Sequence, residues 1–372
     1  MRQAAAFHGA FARALATAAD AYAQTEAAAA GALAGVTGTG AVGGTGAATA
    51  TAAATPPFVF PSNCVSAFIS GSGIPVPSAD YMTIVFKNYV LPNFPSGNLA
   101  NALALWTPAG LYPLTGTTVL TLDESVAQGV SILHDTLLGN GVGQHGLIQP
   151  GGTPVVVQGI SQGAIIASLE MQELANMATP PTATELGFVL LGNPMNPNGG
   201  LLERFVGLSL PSLGQTFYGA TPSNTVWPTH IYTLEYDGIA DWPQYPINII
   251  SDLNAFAGLY YVHGLYPFLD PSALPPGYNL VQLATSPGYT GNTTYSMITV
   301  PHLPLLQPVR QIPLLGNTIA DLVEPDLRVL VNLGYGDPAH GYSTGPADVP
   351  TPFGLVPPVD PQTVLAALVT GT

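Results

Sequence analysis

Thr153 to Glu173, TPVVVQGISQGAIIASLEMQE, reads as a buried strand, a tight turn and a helix in immediate succession. Val155, Val156 and Val157 form a short β-branched run, the pattern of an interior strand in a parallel sheet. Gly159-Ile160-Ser161-Gln162-Gly163 then fits G-x-S-x-G, and from Ala164 the apolar residues fall at helical spacing, with Ile165 and Leu169 on one face. That order predicts a nucleophile elbow, a strained turn that lifts a serine hydroxyl to the carboxyl edge of the sheet. Gly159 and Gly163 suit it because strand and helix must approach closely on either side of the turn. The Gln162 N–H falls at a helix N-terminus, where negative charge is favoured. An ordinary strand-to-helix turn could carry the same five residues, so the reading depends on partners elsewhere in the chain.

A general base and an acid should follow the serine in the order Ser, Asp, His. His230 to Tyr236 alternates as a strand and runs into Asp237-Gly238-Ile239-Ala240-Asp241-Trp242-Pro243. Asp241, deeper in the loop, is preferred as the acid; Asp237, at the strand end, is the alternative and could instead cap the turn. Three histidines follow, His263, His302 and His340. His302 is preferred as the base because it follows an apparent strand at 294–300. His263 sits among aromatic residues and reads as a packed residue, and His340 lies in a Gly/Pro/Asp loop.

Upstream, 58–60 and 65–70 read as strands, the second leading into Gly71-Ser72-Gly73. Such a turn exposes backbone N–H groups, and Ser72 adds a hydroxyl, so Ser72 and Gln162 are the candidate oxyanion donors; one such donor is worth about 2.7–4 kcal/mol of transition-state stabilisation. Residues 118–121 read as a strand, 123–139 as a helix and 186–191 as another strand. Residues 197–228 read as a loop-rich insertion that could form a lid or substrate wall. The apolar segment 319–333 reads as a helix interrupted by Pro325.

The composition excludes other classes. Charged residues are 7% of 372, with six Lys and Arg against 21 Asp and Glu, a net charge of −15. No basic patch exists for nucleic acid or for an anionic membrane. A single cysteine, Cys64, rules out an intrachain disulfide. No run of 18 apolar residues predicts a transmembrane helix. No His-Glu-x-x-His or comparable ligand cluster is present, so neither a metal nor a cofactor is expected. Gly38 to Gly43 matches G-x-G-x-x-G but has no strand before it and no helix after it, so dinucleotide binding is not expected. With so few cations, the expected substrate is apolar.

Residues 1–30 read as one Ala-rich helix with Phe7, Phe11, Leu15 and Tyr22 on one face; residues 31–57 read as a Gly/Ala/Thr linker; and residues 58–372 as the main domain. The helix resembles the second helix of the mycobacterial PE domain, and Tyr22-Ala23-Gln24-Thr25-Glu26 fits its Tyr-x-x-x-Asp/Glu signal for type VII secretion. A PE domain is a helical hairpin, so this one reads as truncated. The resemblance implies a secreted or cell-envelope protein and a PPE-type partner for residues 1–30. GISQGA around Ser161, YDGIADWPQYP around Asp241 and HLPLLQPVR from His302 resemble the PE-PPE domain, a serine α/β-hydrolase similar to cutinases. Carried over, the resemblance implies a parallel-sheet core with flanking helices and a triad of Ser161, Asp241 and His302. It also implies an oxyanion hole at Ser72 and Gln162, and either ester hydrolysis or acyl transfer onto trehalose-type glycolipids. A hydrolase fold that has lost activity is the competing class.

Overall fold

In the computed structural model, residues 56–370 are described apart from 143, 144 and 150. The expected helix at 1–30, with Tyr22 and Glu26, and nearly all of the linker lie outside the described residues. The strands are β1 (Cys64–Ile69), β2 (Gly97–Ala104), β3 (Val155–Ile160), β4 (Leu186–Leu191), a two-residue pair β5 (Ser209–Leu210) and β6 (Gln215–Thr216), β7 (Thr229–Leu234), β8 (Asn279–Gln282) and β9 (Thr293–Thr299). The main helices are α1 (Ala79–Val85), α2 (Leu122–Leu138), α3 (Gln162–Ala175), α4 (Leu201–Arg204), α5 (Ile249–Tyr261), α6 (Gly316–Asn332) and α7 (Pro361–Thr370).

One sheet has the order β2-β1-β3-β4-β7-β9-β8. All its neighbours pair parallel except β8, which is antiparallel to β9 at the edge. β4 and β7 are buried at every residue; β4 is a continuous apolar run, whereas β7 buries the polar Thr229, His230 and Thr233 among its apolar residues. Val155, Val157, Phe188 and Leu190 pack against α2 and α3 on one face. Val156, Val189, Leu191 and Leu234 pack with Tyr89, Tyr266 and Val331 on the other. Helices on both faces of a mostly parallel sheet make this an α/β fold, and the carboxyl ends of β1, β3, β4, β7 and β9 share one rim.

Three local expectations change. Residues 58–60 form no strand; the rings of Phe58 and Phe60 stack into an aromatic group with Phe94 instead. Residues 118–121 are not a strand either, because Thr121 caps α2 in a reciprocal capping box with Glu124. Pro325 does not end its helix, which runs from Gly316 to Asn332. The insertion at 197–228 is pinned to the body. Asp123 accepts from the Thr216 N–H and hydroxyl, both at 2.9 Å, and from the Tyr218 hydroxyl at 2.6 Å. The buried Arg204 guanidinium donates to the Trp242 carbonyl, Ser343 and Thr351. Among the described residues, no helix is long and apolar enough to cross a membrane.

Candidate active site

Ser161 sits between β3 and α3 with φ +56° and ψ −117°. A non-glycine residue there is strained, by about 1–3 kcal/mol, and persists only where its surroundings impose it. The surroundings are the two glycines. A Cβ on Gly159 would lie 2.4 Å from the Gly163 carbonyl oxygen, and one on Gly163 would lie 2.4 Å from that of Ile69. The close approach anticipated from G-x-S-x-G is therefore present on both sides of the serine. The Ser161 N–H donates to the Leu191 carbonyl at 3.0 Å, tying the elbow to the end of β4.

The Gly71-Ser72-Gly73 turn leaves β1 beside the elbow. A Cβ on Gly71 would lie 3.0 Å from the Ser161 Cβ and 3.5 Å from its Oγ, so this turn lies against the serine side chain. Gln162 is the first residue of α3, where backbone N–H groups have no intrahelical acceptor. Its side-chain amide donates to the Ser72 hydroxyl oxygen at 3.1 Å. The structure thus brings Ser72, Gln162 and Ser161 together.

The expected acid and base do not meet. Asp241 is fully buried; its Oδ2 accepts from the Tyr236 N–H at 2.9 Å, and its Oδ1 has no partner among the described residues. Burial raises its pKa well above the carboxylate range, against the pull of the Tyr236 N–H and Arg204. Asp241 braces its own loop through the Tyr236 N–H and meets no histidine among the described residues. His302 follows β9, as anticipated, but its Nδ1 pairs with Glu324 at 3.2 Å. Glu324 is further held by Arg310, Arg328 and the Leu303 N–H. His340 pairs locally with Asp337 at 3.0 Å.

The residues that do meet are Asp237 and His263. The His263 Nδ1 lies 2.9 Å from both carboxylate oxygens of Asp237. Asp237 is fully buried and also accepts from the Tyr266 hydroxyl at 2.7 Å and from the Ile239 N–H at 3.0 Å. Three donors to one carboxylate, the His263 Nδ1–H shared between its two oxygens, hold it in a single orientation. His263 follows α5, and its ring lies over the end of β4: a Cβ on Gly192 would be 3.0 Å from its Cε1. Gly192 is the next residue after Leu191, the carbonyl that anchors Ser161. The imidazole therefore stands beside the elbow, with Nδ1 engaged, and no hydrogen bond to its Nε2 is found among the described residues.

Two glycines bring this about. A Cβ on Gly258 of α5 would lie 1.8 Å from the Tyr236 carbonyl oxygen, and one on Gly238 would lie 2.1 Å from that of Ala255. Only glycine lets α5 pack onto the turn after β7, which sets Asp237 against His263, two residues past the end of the helix. That pair of glycines was the available signal in the sequence.

Two clusters have metal-ligand composition, His134 with Glu170 and Glu173, and His302 with Asp321 and Glu324. In the first, His134 and Glu170 pair with each other at 3.0 Å; in the second, Arg310 and Arg328 occupy the carboxylates. A cavity of about 550 Å³ lies between α2 and α3 and is lined by His134 and Tyr218 among others; Ser161 does not line it.

Residues 99–336 match the PE-PPE domain family. The chain is 47% identical, over its whole length, to the PE family protein PE3 of Mycobacterium tuberculosis, covering 73% of that protein. It is 44% identical to esterase PE16 of the same organism over 97% of this chain and 62% of the other. A more distant likeness, 30% over 67% of this chain and 56% of the other, links it to the SL1278 acyltransferase Chp1 of that organism.

Proposed function

Since this chain belongs to the PE-PPE domain family, we propose that it is a serine esterase acting on apolar acyl esters, with Ser161 as nucleophile, His263 as base and Asp237 as the acid that orients it. The observation that carries the reading is the Ser161 backbone, left-handed and non-glycine, held between two glycines that no larger residue could replace. The His263–Asp237 pair beside it supports the assignment of the partners, in place of Asp241 and His302. The likeness to esterase PE16 favours the same chemistry.

In the proposed reaction His263 Nε2 takes the Ser161 proton as Oγ attacks the ester carbonyl. Asp237 keeps the imidazole in the tautomer with hydrogen on Nδ1 and stabilises the imidazolium. The Gln162 N–H and the Ser72 hydroxyl receive the negative charge on the carbonyl oxygen. The imidazolium then protonates the departing alkoxide, and water activated by the same histidine releases the acyl group from Ser161. A second reading replaces that water with a sugar hydroxyl of a trehalose-type glycolipid, an acyl transfer favoured by the likeness to Chp1.

The test is fluorophosphonate labelling of the purified protein, with the adduct mapped by peptide mass spectrometry. Label is expected on Ser161, absent in Ser161→Ala and His263→Ala, and slowed by about 10⁴ in Asp237→Asn. His302→Ala should keep the label. Loss of label in His302→Ala with full labelling of His263→Ala would reverse the assignment. A folded wild-type protein that takes no label would favour a catalytically silent surface protein.

A further inference from the structure

Behind the oxyanion hole lies a chain of hydrogen bonds whose polarity is forced at every link. The Gly110 carbonyl can only accept, and the Gln162 side chain approaches it at 2.7 Å, so Nε2 must be the atom that faces it. The same Nε2 lies 3.1 Å from the Ser72 Oγ, so its second hydrogen goes there and Ser72 accepts. The Gly110 N–H can only donate, and it donates to the Ser125 Oγ at 2.9 Å. Ser125 must then direct its own hydrogen to the Gln162 Oε1, 3.0 Å away. Ser125, in α2, and Gln162 are 0% and 1% exposed, so water does not compete at either.

We propose that Ser125 is a positioning residue of the oxyanion hole, fixing through the Gln162 amide the direction in which the Ser72 hydroxyl donates. Because Ser72 accepts from Nε2, its own hydrogen is turned away from Gln162. No hydrogen bond donated by that hydroxyl is found among the described residues. The turn itself is held by a second link, from the Gly73 N–H to the Ala109 carbonyl at 2.7 Å. Ala109, next to Gly110, has φ +53°, so the loop that anchors both links is itself held in a strained form. The donor is thus oriented before the substrate arrives, which is where such donors gain their effect. Ser125 touches no reacting atom; it acts through Gln162 and Ser72.

This inference rests on the esterase reading above. The experiment is a double-mutant cycle on the full chain, with p-nitrophenyl butyrate as substrate and fluorophosphonate labelling run beside it. Ser125→Ala should lower kcat about tenfold with KM within twofold, a fraction of the 10²–10³ lost when an oxyanion donor is removed outright. In a Ser72→Ala background the same substitution should change nothing further. Gln162→Met keeps the backbone N–H and deletes Nε2. It should lower kcat in the wild-type background, lose that effect in Ser72→Ala, and stand in if Ser125→Ala does not fold. Losses that multiply in the double variants, or that fall on KM, would overturn the proposal while a labelled Ser161 leaves the esterase reading standing. An unlabelled Ser161 in folded wild type would overturn both.

Discussion

Burial decides what each acidic and basic side chain can do in this protein. Asp237 is buried among donors, His263 Nδ1, the Tyr266 hydroxyl and the Ile239 N–H, which fix it opposite the imidazole. Asp241, four residues on, is buried with one donor to its carboxylate and is driven toward its neutral form. His230 shows the same rule from the basic side. It sits in β7, 6% exposed, with Nδ1 2.7 Å from the Thr294 hydroxyl, Nε2 without a partner among the described residues, and the Phe94 ring edge-on at 5.4 Å. Burial lowers its pKa from 6.5 to about 4. The folded value lies below the unfolded one, so the unfolded chain takes up the proton first. The resulting stabilisation is complete above pH 6.5 and is lost as pH falls towards 4, up to about 3 kcal/mol. Urea unfolding at pH 7.5 and 4.5 should therefore show a larger loss for wild type than for His230→Asn. Equal losses would mean that His230 is already protonated in the fold.

The elements bring these residues together, and α5 is the decisive one. Its contact with the turn after β7 is too close for any Cβ at Gly258. Gly258→Ala must push the helix off the turn, at a cost of about 1–3 kcal/mol or more, and must loosen the Asp237–His263 pair. We expect a lower urea midpoint and at least a tenfold lower kcat. Gly264→Ala, where a new Cβ meets nothing within 4 Å, is the control and should alter neither. Equal behaviour of the two variants would remove α5 docking from the account. The same docking explains what the sequence could and could not reveal. β3, its turn and α3 were legible because the period changes from a continuous apolar run to helical spacing within ten residues. β4 and β7 were legible as strands. β2, Gly97–Ala104, was not; it is a largely exposed edge strand of Gly, Asn, Ala and Leu with little pattern to read. Choosing between Asp237 and Asp241 needs the position of α5, which no local pattern encodes. His263 read as packed among aromatics; it is partly buried beside Tyr266, and its carboxylate partner comes from 26 residues upstream through the two glycines.

At the scale of the whole molecule, Phe58 and Phe60 are the first of the described residues to pack into the body of the fold. Their rings lie 6.5 Å and 5.4 Å from that of Phe94, and the Phe58 N–H donates to the Asn93 carbonyl at 2.9 Å. Everything assigned to the proposed reaction, from Ser72 to His263, lies after them. The proposed roles upstream are of another kind: a type VII secretion signal at Tyr22 and Glu26, and docking of a PPE-type partner by residues 1–30. Catalysis and export should therefore separate. A chain beginning at residue 58 should hydrolyse p-nitrophenyl butyrate within twofold of the full chain and unfold at the same urea concentration. Expressed in a mycobacterium, it should be absent from the culture filtrate where the full chain is found. A chain beginning at residue 62 removes the buried Phe60 and the half-buried Phe58 and should be less stable by about 2 kcal/mol or more, since a fully buried phenylalanine contributes roughly 1.5–3 kcal/mol. Loss of folding in the chain that begins at 58 would place the boundary earlier, and export of that chain would detach Tyr22 and Glu26 from secretion.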